Sequence, residues 1–93
     1  MYVLVHHNVT DPQRFWAAAA DAIPNVPPHL KLHQTLAGRD GRKATCIWEA
    51  ESVEAVRSFL EPTLGAVSQN EYSEAENREG VALPTRIEET VSA

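Results

Sequence analysis

The side chains able to do chemistry in this chain are four histidines, two tryptophans, two tyrosines and one cysteine among 93 residues. An imidazole titrates near pH ~6.5 and ligates transition metals, so a histidine can serve as a general base or a metal ligand. His6 and His7 are adjacent, and neighbours on a strand point to opposite faces, so the two cannot hold one ion. His7 and His33 converge if their strands are neighbours. That pair is the candidate metal site, and a divalent transition metal is the cofactor it would take. No His-Glu-x-x-His spacing is present, so half-buried, hydrogen-bonded histidines without a ligand remain the plainer alternative. His29 sits in a proline-rich connector and reads as solvated.

Trp48 offers a flat wall for an aromatic ligand and an indole N–H donor, or else is a large core side chain. Cys46 lies two residues earlier on the same face and reads as a small buried hydrophobe. No Cys-His-Asn arrangement can be read from spacing, which discounts a thiol mechanism. Asn70 and Tyr72 share a face of a late strand, where the Tyr72 hydroxyl would reach the pocket or a dimer seam. An oxygenase without cofactor needs groups such as Asn8, Trp48 and Tyr72 to hold an electron-rich aromatic and stabilise its anion. The candidate ligand-binding set is therefore His7, Asn8, His33, Trp48 and Tyr72. Glu71, Glu74, Glu76 and Glu79 read as a solvated edge that discourages strand addition. Phosphate-cradling glycine loops, zinc-type cysteine pairs and nucleophilic serine motifs are absent.

The elements that must position these residues follow from periodicity and punctuation. Residues 2–9 (YVLVHHNV) predict a strand with Val3, Val5, His7 and Val9 on one face and Tyr2, Leu4, His6 and Asn8 on the other. Pro12 fits a first helical position, and Thr10 with Gln13 has capping-box spacing. A helix follows to about Ile23, its core stripe formed by Phe15, Ala19, Ala22 and Ile23, widened by Trp16 and Ala20. Pro24 ends it. Residues 29–37 predict a second strand with Leu30, Leu32 and Leu36 on one face and Lys31, His33 and Thr35 on the other. Asp40-Gly41 signals a hairpin into a third strand over 43–50. A two-residue loop there would pair His33 with Trp48 and Thr35 with Cys46, whereas a three-residue loop would shift that register. Ser52 caps a second helix that Pro62 stops, and residues 69–76 predict a fourth strand.

The order is β-α-β-β-α-β: a ferredoxin-like α+β domain over residues 1–76, with a four-stranded antiparallel sheet and two helices on one face. Residues 77–93 read as a C-terminal arm with sparse apolar anchors at Val81, Leu83, Ile87 and Val91. Two helices cover only one sheet face, yet Tyr2 and Leu4 make the other face apolar as well. A second copy packed sheet to sheet is the economical cover, so a homodimer is expected. A single cysteine and an N-terminus without a leader-like pattern predict a cytoplasmic protein. No run is long and apolar enough for a membrane span. The net charge of −5 argues against nucleic acid. The cluster Arg39, Arg42 and Lys43 reads as a solvated hairpin tip.

The segment TCIWEAESVEAVRSFLE, from Thr45 to Glu61, leads a strand ending in an aromatic-acidic pair straight into a helix. Together with the element order and the short first strand, it resembles the dimeric α+β barrel superfamily. The motif Val5-His6-His7, with Cys46 to Val56, is also similar to a small branch of that superfamily that includes nickel-binding proteins. The resemblance implies two ferredoxin-like subunits packed into a barrel and a pocket between sheet and helices. It does not imply one chemistry, since members include cofactor-free oxygenases, heme-degrading oxygenases, lactone isomerases and chlorite dismutases. The heme-degrading members use an asparagine on strand one, a tryptophan on strand three and a histidine on the second helix. Trp48 matches the tryptophan, and Asn8 or His7 lies near the asparagine. The helix from Ser52 to Glu61 has no histidine, so heme is not expected. The expectation is a dimeric binding protein for a small organic ligand or a metal ion. The alternative is a cofactor-free monooxygenase or isomerase acting on an aromatic or polyketide-like molecule.

Overall fold

The computed structural model describes residues 1–80. Strand β1 (Tyr2–Val9), helix α1 (Pro12–Ala22), strands β2 (Lys31–Ala37) and β3 (Lys43–Glu49), helix α2 (Val53–Leu64) and strand β4 (Ser68–Ala75) follow in that order. Short 3-10 turns span Ile23–Asn25 and Arg78–Gly80. The sheet is antiparallel throughout with strand order β2-β3-β1-β4, which is compatible with a ferredoxin-like arrangement. β1 and β3 are central, while β2 and β4 are edges. The proposed anchors Val81, Leu83, Ile87 and Val91 lie outside the described residues.

Alternation along β1 sets the two layers. Val3, Val5, His7 and Val9 are buried, while His6 and Asn8 are exposed. The buried row meets Phe15 of α1 and Val56, Leu60 and Leu64 of α2, together with Cys46 and Trp48 of β3. Among the described residues no helix is long and apolar enough to cross a membrane.

Four local details depart from the sequence expectation, each with a physical reason. The cap of α1 is Asp11, whose carboxylate accepts from Arg14 N–H at 3.2 Å, rather than a Thr10–Gln13 box. Thr10 N–H is still tied to the Val67 carbonyl as the chain leaves the sheet, so the helix opens one residue later. Pro62 does not stop α2, which continues to Leu64 and closes with Gly65 N–H donating to the Glu61 carbonyl. A proline lacks its own N–H, and the carbonyl thereby freed belongs to exposed Ser58, which is open to solvent.

The β2–β3 loop is longer than two residues: Gly38 N–H donates to the Lys43 carbonyl at 2.7 Å, and Gly41 N–H returns to Gly38 at 3.0 Å. Gly41 takes φ 74°, which a side chain disfavours, and its carbonyl accepts from Trp16 Nε1–H at 2.9 Å. That bond fastens the hairpin tip to α1. Arg39, Arg42 and Lys43 are exposed around it.

Finally, β2 carries an irregularity between Leu32 and Gln34. Thr35 pairs with Cys46 as expected of the two-residue register, but Trp48 faces Leu32 instead of His33. One extra residue at a bulge shifts everything beyond it to the other face. Leu36, expected beside Leu32, therefore shares the outer face with Thr45 and is 60% exposed.

Candidate functional site

Helix α1 contributes alanines where a helix of this length usually contributes leucines. Ala19 and Ala22 line a space that Trp48 and Leu32 also line, and their short side chains do not reach far into it. The result is a cavity of about 180 Å³ between the sheet and both helices. His7, Cys46, Trp48 and Thr35 form its sheet wall, Phe15 and the alanines its α1 wall, and Phe59, Leu60 and Leu64 its α2 wall. Exposed Ala20, Ile23 and Thr35 also line it, marking its mouth on the β2 side. The lining is almost wholly apolar.

His7, Cys46 and Thr35 of the sheet wall belong to one hydrogen-bond chain. Glu61 of α2 accepts from Asn70 Nδ2 at 2.8 Å and from the Tyr72 hydroxyl. A carboxylate has only acceptors, so the NH₂ of Asn70 must face it and the carbonyl Oδ1 must face the other way. Asn70 Oδ1 lies 2.6 Å from His7 Nδ1 and also accepts from Ser68 Oγ at 2.7 Å. His7 therefore carries its proton on Nδ1. Nε2 is left with a lone pair, 3.4 Å from Cys46 Sγ. The thiol proton points to that lone pair, and Thr35 Oγ1 stands 3.4 Å from the same sulfur. Register explains the alignment, since His7 sits directly opposite Asn70 on β4 and diagonally from Cys46 on β3.

Electrostatics keep this chain neutral at its buried end and charged at its exposed end. Burial lowers the His7 pKa below its usual value, against opposing pulls from the Asn70 bond and the Glu61 charge and with a small added push from His6. Burial raises the Cys46 thiol, offset in part by Thr35. Glu61 is held below the usual carboxylate range by the hydrogen bonds from Tyr72 and then Asn70. Tyr72 is pushed well above the usual phenol range by burial and by its bond to Glu61. The Arg57 guanidinium lies 4.9 Å from the centre of the Tyr72 ring.

Trp48 is 3% exposed, and Phe59 packs edge-on to its ring at a centroid distance of 6.0 Å. Its Nε1–H is the one buried side-chain polar group with no partner among the described residues. An unpartnered buried donor costs about 1–3 kcal/mol, so it marks a place where an acceptor belongs.

The structure brings three of the sequence-predicted residues to the helix side of the sheet: His7 and Trp48 in the cavity wall, and Tyr72 at the end of the chain through Glu61. It separates the other two from them. Asn8 pairs with Lys43 and Gln69 on the outer face and is exposed. His33, displaced by the bulge, also faces outward, where its Nε2 lies 2.8 Å from Glu49 Oε1 and its ring meets Tyr2 at 5.6 Å. His7 and His33 therefore do not converge within one chain, and the grouping of Asn8 with Trp48 and Tyr72 is not formed. Among the described residues no three His, Cys, Asp or Glu side chains cluster as metal ligands do.

Sequence reasoning missed Glu61, Thr35 and the Cys46–His7 contact. A signal for the first was present: Asn70 and Tyr72, two residues apart on one strand face, present donors that ask for an acceptor. The alanine run over a lone tryptophan was the matching signal for the cavity.

Comparisons with protein-family models, curated proteins and solved structures find no match. Fold and site together define a small α+β domain with an apolar cavity under its two helices and a proton-bearing relay along one wall.

Proposed function

We propose that this protein binds a small, mostly apolar organic molecule carrying a hydrogen-bond acceptor, and that it does so as a homodimer. The observation that carries the first half is the cavity of about 180 Å³, lined in part by Trp48, whose buried Nε1–H has no partner among the described residues. Small-molecule sites are concave, largely apolar and furnished with a few placed polar groups, which is the composition found here. A ketone, ester or lactone oxygen would satisfy the indole N–H, while aromatic or alkyl carbon would fill the space against Phe15, Phe59 and Leu60. The dimer is supported by the outer sheet face, where Tyr2, Leu4 and Ile47 are half-buried and Leu36 is exposed with no helix of the described residues over them.

Native mass spectrometry of untagged protein tests both halves. A mass of two chains plus a discrete organic excess is the expected result. A clean monomer overturns the dimer. If 4-phenyl-2-butanone, a saturated aryl ketone, leaves the intrinsic fluorescence unchanged up to its solubility limit, the ligand reading falls.

The enzyme reading from the sequence stands second, favoured by one observation: His7 presents a proton-free Nε2 at the cavity wall. Such a group can abstract and return a proton, which suits an isomerase better than an oxygenase. Turnover of an enolisable ketone, followed by deuterium exchange into the ligand, would establish it. Binding without exchange would leave the protein a carrier.

A further inference from the structure

The sequence offered no reason to read Cys46 as reactive, yet the fold places it between a base and a cavity. Its side chain is part of the cavity wall. On one side lies His7 Nε2, 3.4 Å away and free of its proton; on the other lies the cavity itself. Trp48, two residues along the same strand face, stands about 7 Å from Cys46 along the strand and offers its unpartnered N–H. A thiol and a hydrogen-bond donor two residues apart on one strand face can address the two ends of a conjugated carbonyl, the donor at oxygen and the sulfur at the β-carbon.

We propose that Cys46 is the nucleophile of a conjugate-addition site for small apolar α,β-unsaturated ketones, with His7 carrying the proton and Trp48 holding the carbonyl oxygen. The inference rests on the ligand reading above and specifies its ligand class. As the Sγ–Cβ bond forms, the thiol proton passes to His7 Nε2. The π electrons of the alkene move toward the carbonyl, and the resulting enolate oxygen accepts from Trp48 Nε1–H. His7 then returns the proton to the α-carbon. The product is a saturated thioether ketone: one S–H and one C=C bond are lost, one C–S and one C–H bond are gained. No oxidant, reductant or metal takes part, and the reverse path releases the ketone.

Two features distinguish this from a cysteine that is merely buried. Burial keeps the thiol protonated, so attack needs a base at the sulfur, and His7 Nε2 is the group in place. His7 is in turn held in the required tautomer by Asn70, whose amide is oriented by Glu61. The groups around His7 that carry charge or titrate are His6 on its own strand, Cys46 on β3, Glu61 on α2 and, through Glu61, Tyr72 on β4. On α1 the neighbour is the uncharged ring of Phe15 at 5.2 Å.

The test uses the full chain and benzylideneacetone, an apolar aryl enone, with acrylamide as a small polar acceptor and free cysteine as the reference thiol. Intact-mass and peptide mapping are expected to find one enone per chain, on Cys46, the only cysteine. The preference for enone over acrylamide should exceed that of free cysteine by about tenfold or more. His7→Gln should slow enone addition by roughly 10²-fold, the usual worth of a positioned base. Its rate should then rise with pH only as the thiolate forms, whereas the wild-type rate levels off once His7 is neutral. Trp48→Phe should raise the half-saturating enone concentration. The wild-type selectivity decides the matter even where a variant fails to fold. No adduct on Cys46, or an enone preference no greater than that of free cysteine, overturns the proposal. If 4-phenyl-2-butanone binds while the enone does not add, the covalent step alone falls. If neither ketone binds, the ligand reading falls with it.

Discussion

Filling the cavity should make this protein more stable and less able to bind. Ala19 lines the space from α1, and Ala19→Leu would send three more carbons into a volume of about 180 Å³. Each buried methylene contributes about 0.8 kcal/mol, or about 2.4 kcal/mol for three. Fixing the leucine rotamer takes back about 0.5–1 kcal/mol. Leucine and alanine are both good helix formers, so the backbone term is small. The net gain is about 1.4–1.9 kcal/mol, which for a domain of this size raises Tm by roughly 6–15 °C. The assay is thermal and urea unfolding of both proteins, paired with a fluorescence titration of each with 4-phenyl-2-butanone. Higher stability with binding weakened at least tenfold is the expected pairing. A drop in stability would mean that the extra carbons are forced against filled space, and unweakened ketone binding would mean that the ligand sits elsewhere. Either result refutes the reasoning.

Further expectations follow from the relay and the caps. Because the folded pKa of His7 lies below its unfolded value near ~6.5, the unfolded chain takes up a proton that the folded chain refuses between those two values. Stability should therefore fall as pH drops through about 6.5 and level off below the folded pKa, and His7→Gln should remove that slope when urea midpoints at pH 7.5 and 5.5 are compared. The Glu61 contribution has the sign of a depressed carboxylate: it is present above the unfolded pKa near ~4.3 and lost as pH falls through the lower folded value, so the two losses separate in a full profile. A spectrophotometric titration of Tyr2→Phe, which leaves Tyr72 as the sole tyrosine, should show its phenol ionising only above the usual range while the protein stays folded, and Glu61→Ala should lower that point. Asp11→Ala removes the α1 cap and should cost about 1 kcal/mol by urea unfolding.

The fold was legible wherever short-range chemistry decides it. Residues 2–9 alternate cleanly and form β1 as expected, Pro12 opens α1, Asp40-Gly41 lies in the β2–β3 turn, and Ser52 caps α2. Each signal is read within a few residues. The irregularity between Leu32 and Gln34 was not legible, because no glycine, proline or turn residue in the sequence of β2 marks it. That one displacement sends His33 to the outer face and separates it from His7. The relay was hidden for a different reason. His7 and Asn70 are 63 residues apart, and only the β1–β4 register makes them partners. Asn70 was seen to share a face with Tyr72, but nothing local says that this face meets Glu61. Core side chain and ligand wall are both open to Trp48 in the sequence; in the fold it packs against Phe59, and its N–H has no acceptor among the described residues.

The central claim is that the Trp48 N–H awaits a ligand oxygen, and the chain offers a direct way to ask. It contains two tryptophans, so a ¹H–¹⁵N spectrum carries two indole N–H signals. Trp16 already donates to the Gly41 carbonyl at 2.9 Å, whereas Trp48 Nε1–H has no acceptor among the described residues. Titration with 4-phenyl-2-butanone should move the Trp48 indole proton downfield as the hydrogen bond forms, while the Trp16 signal keeps its hydrogen-bonded position, with Trp48→Phe providing the assignment. A Trp48 signal that stays fixed while the ketone is taken to saturating concentration would contradict the account.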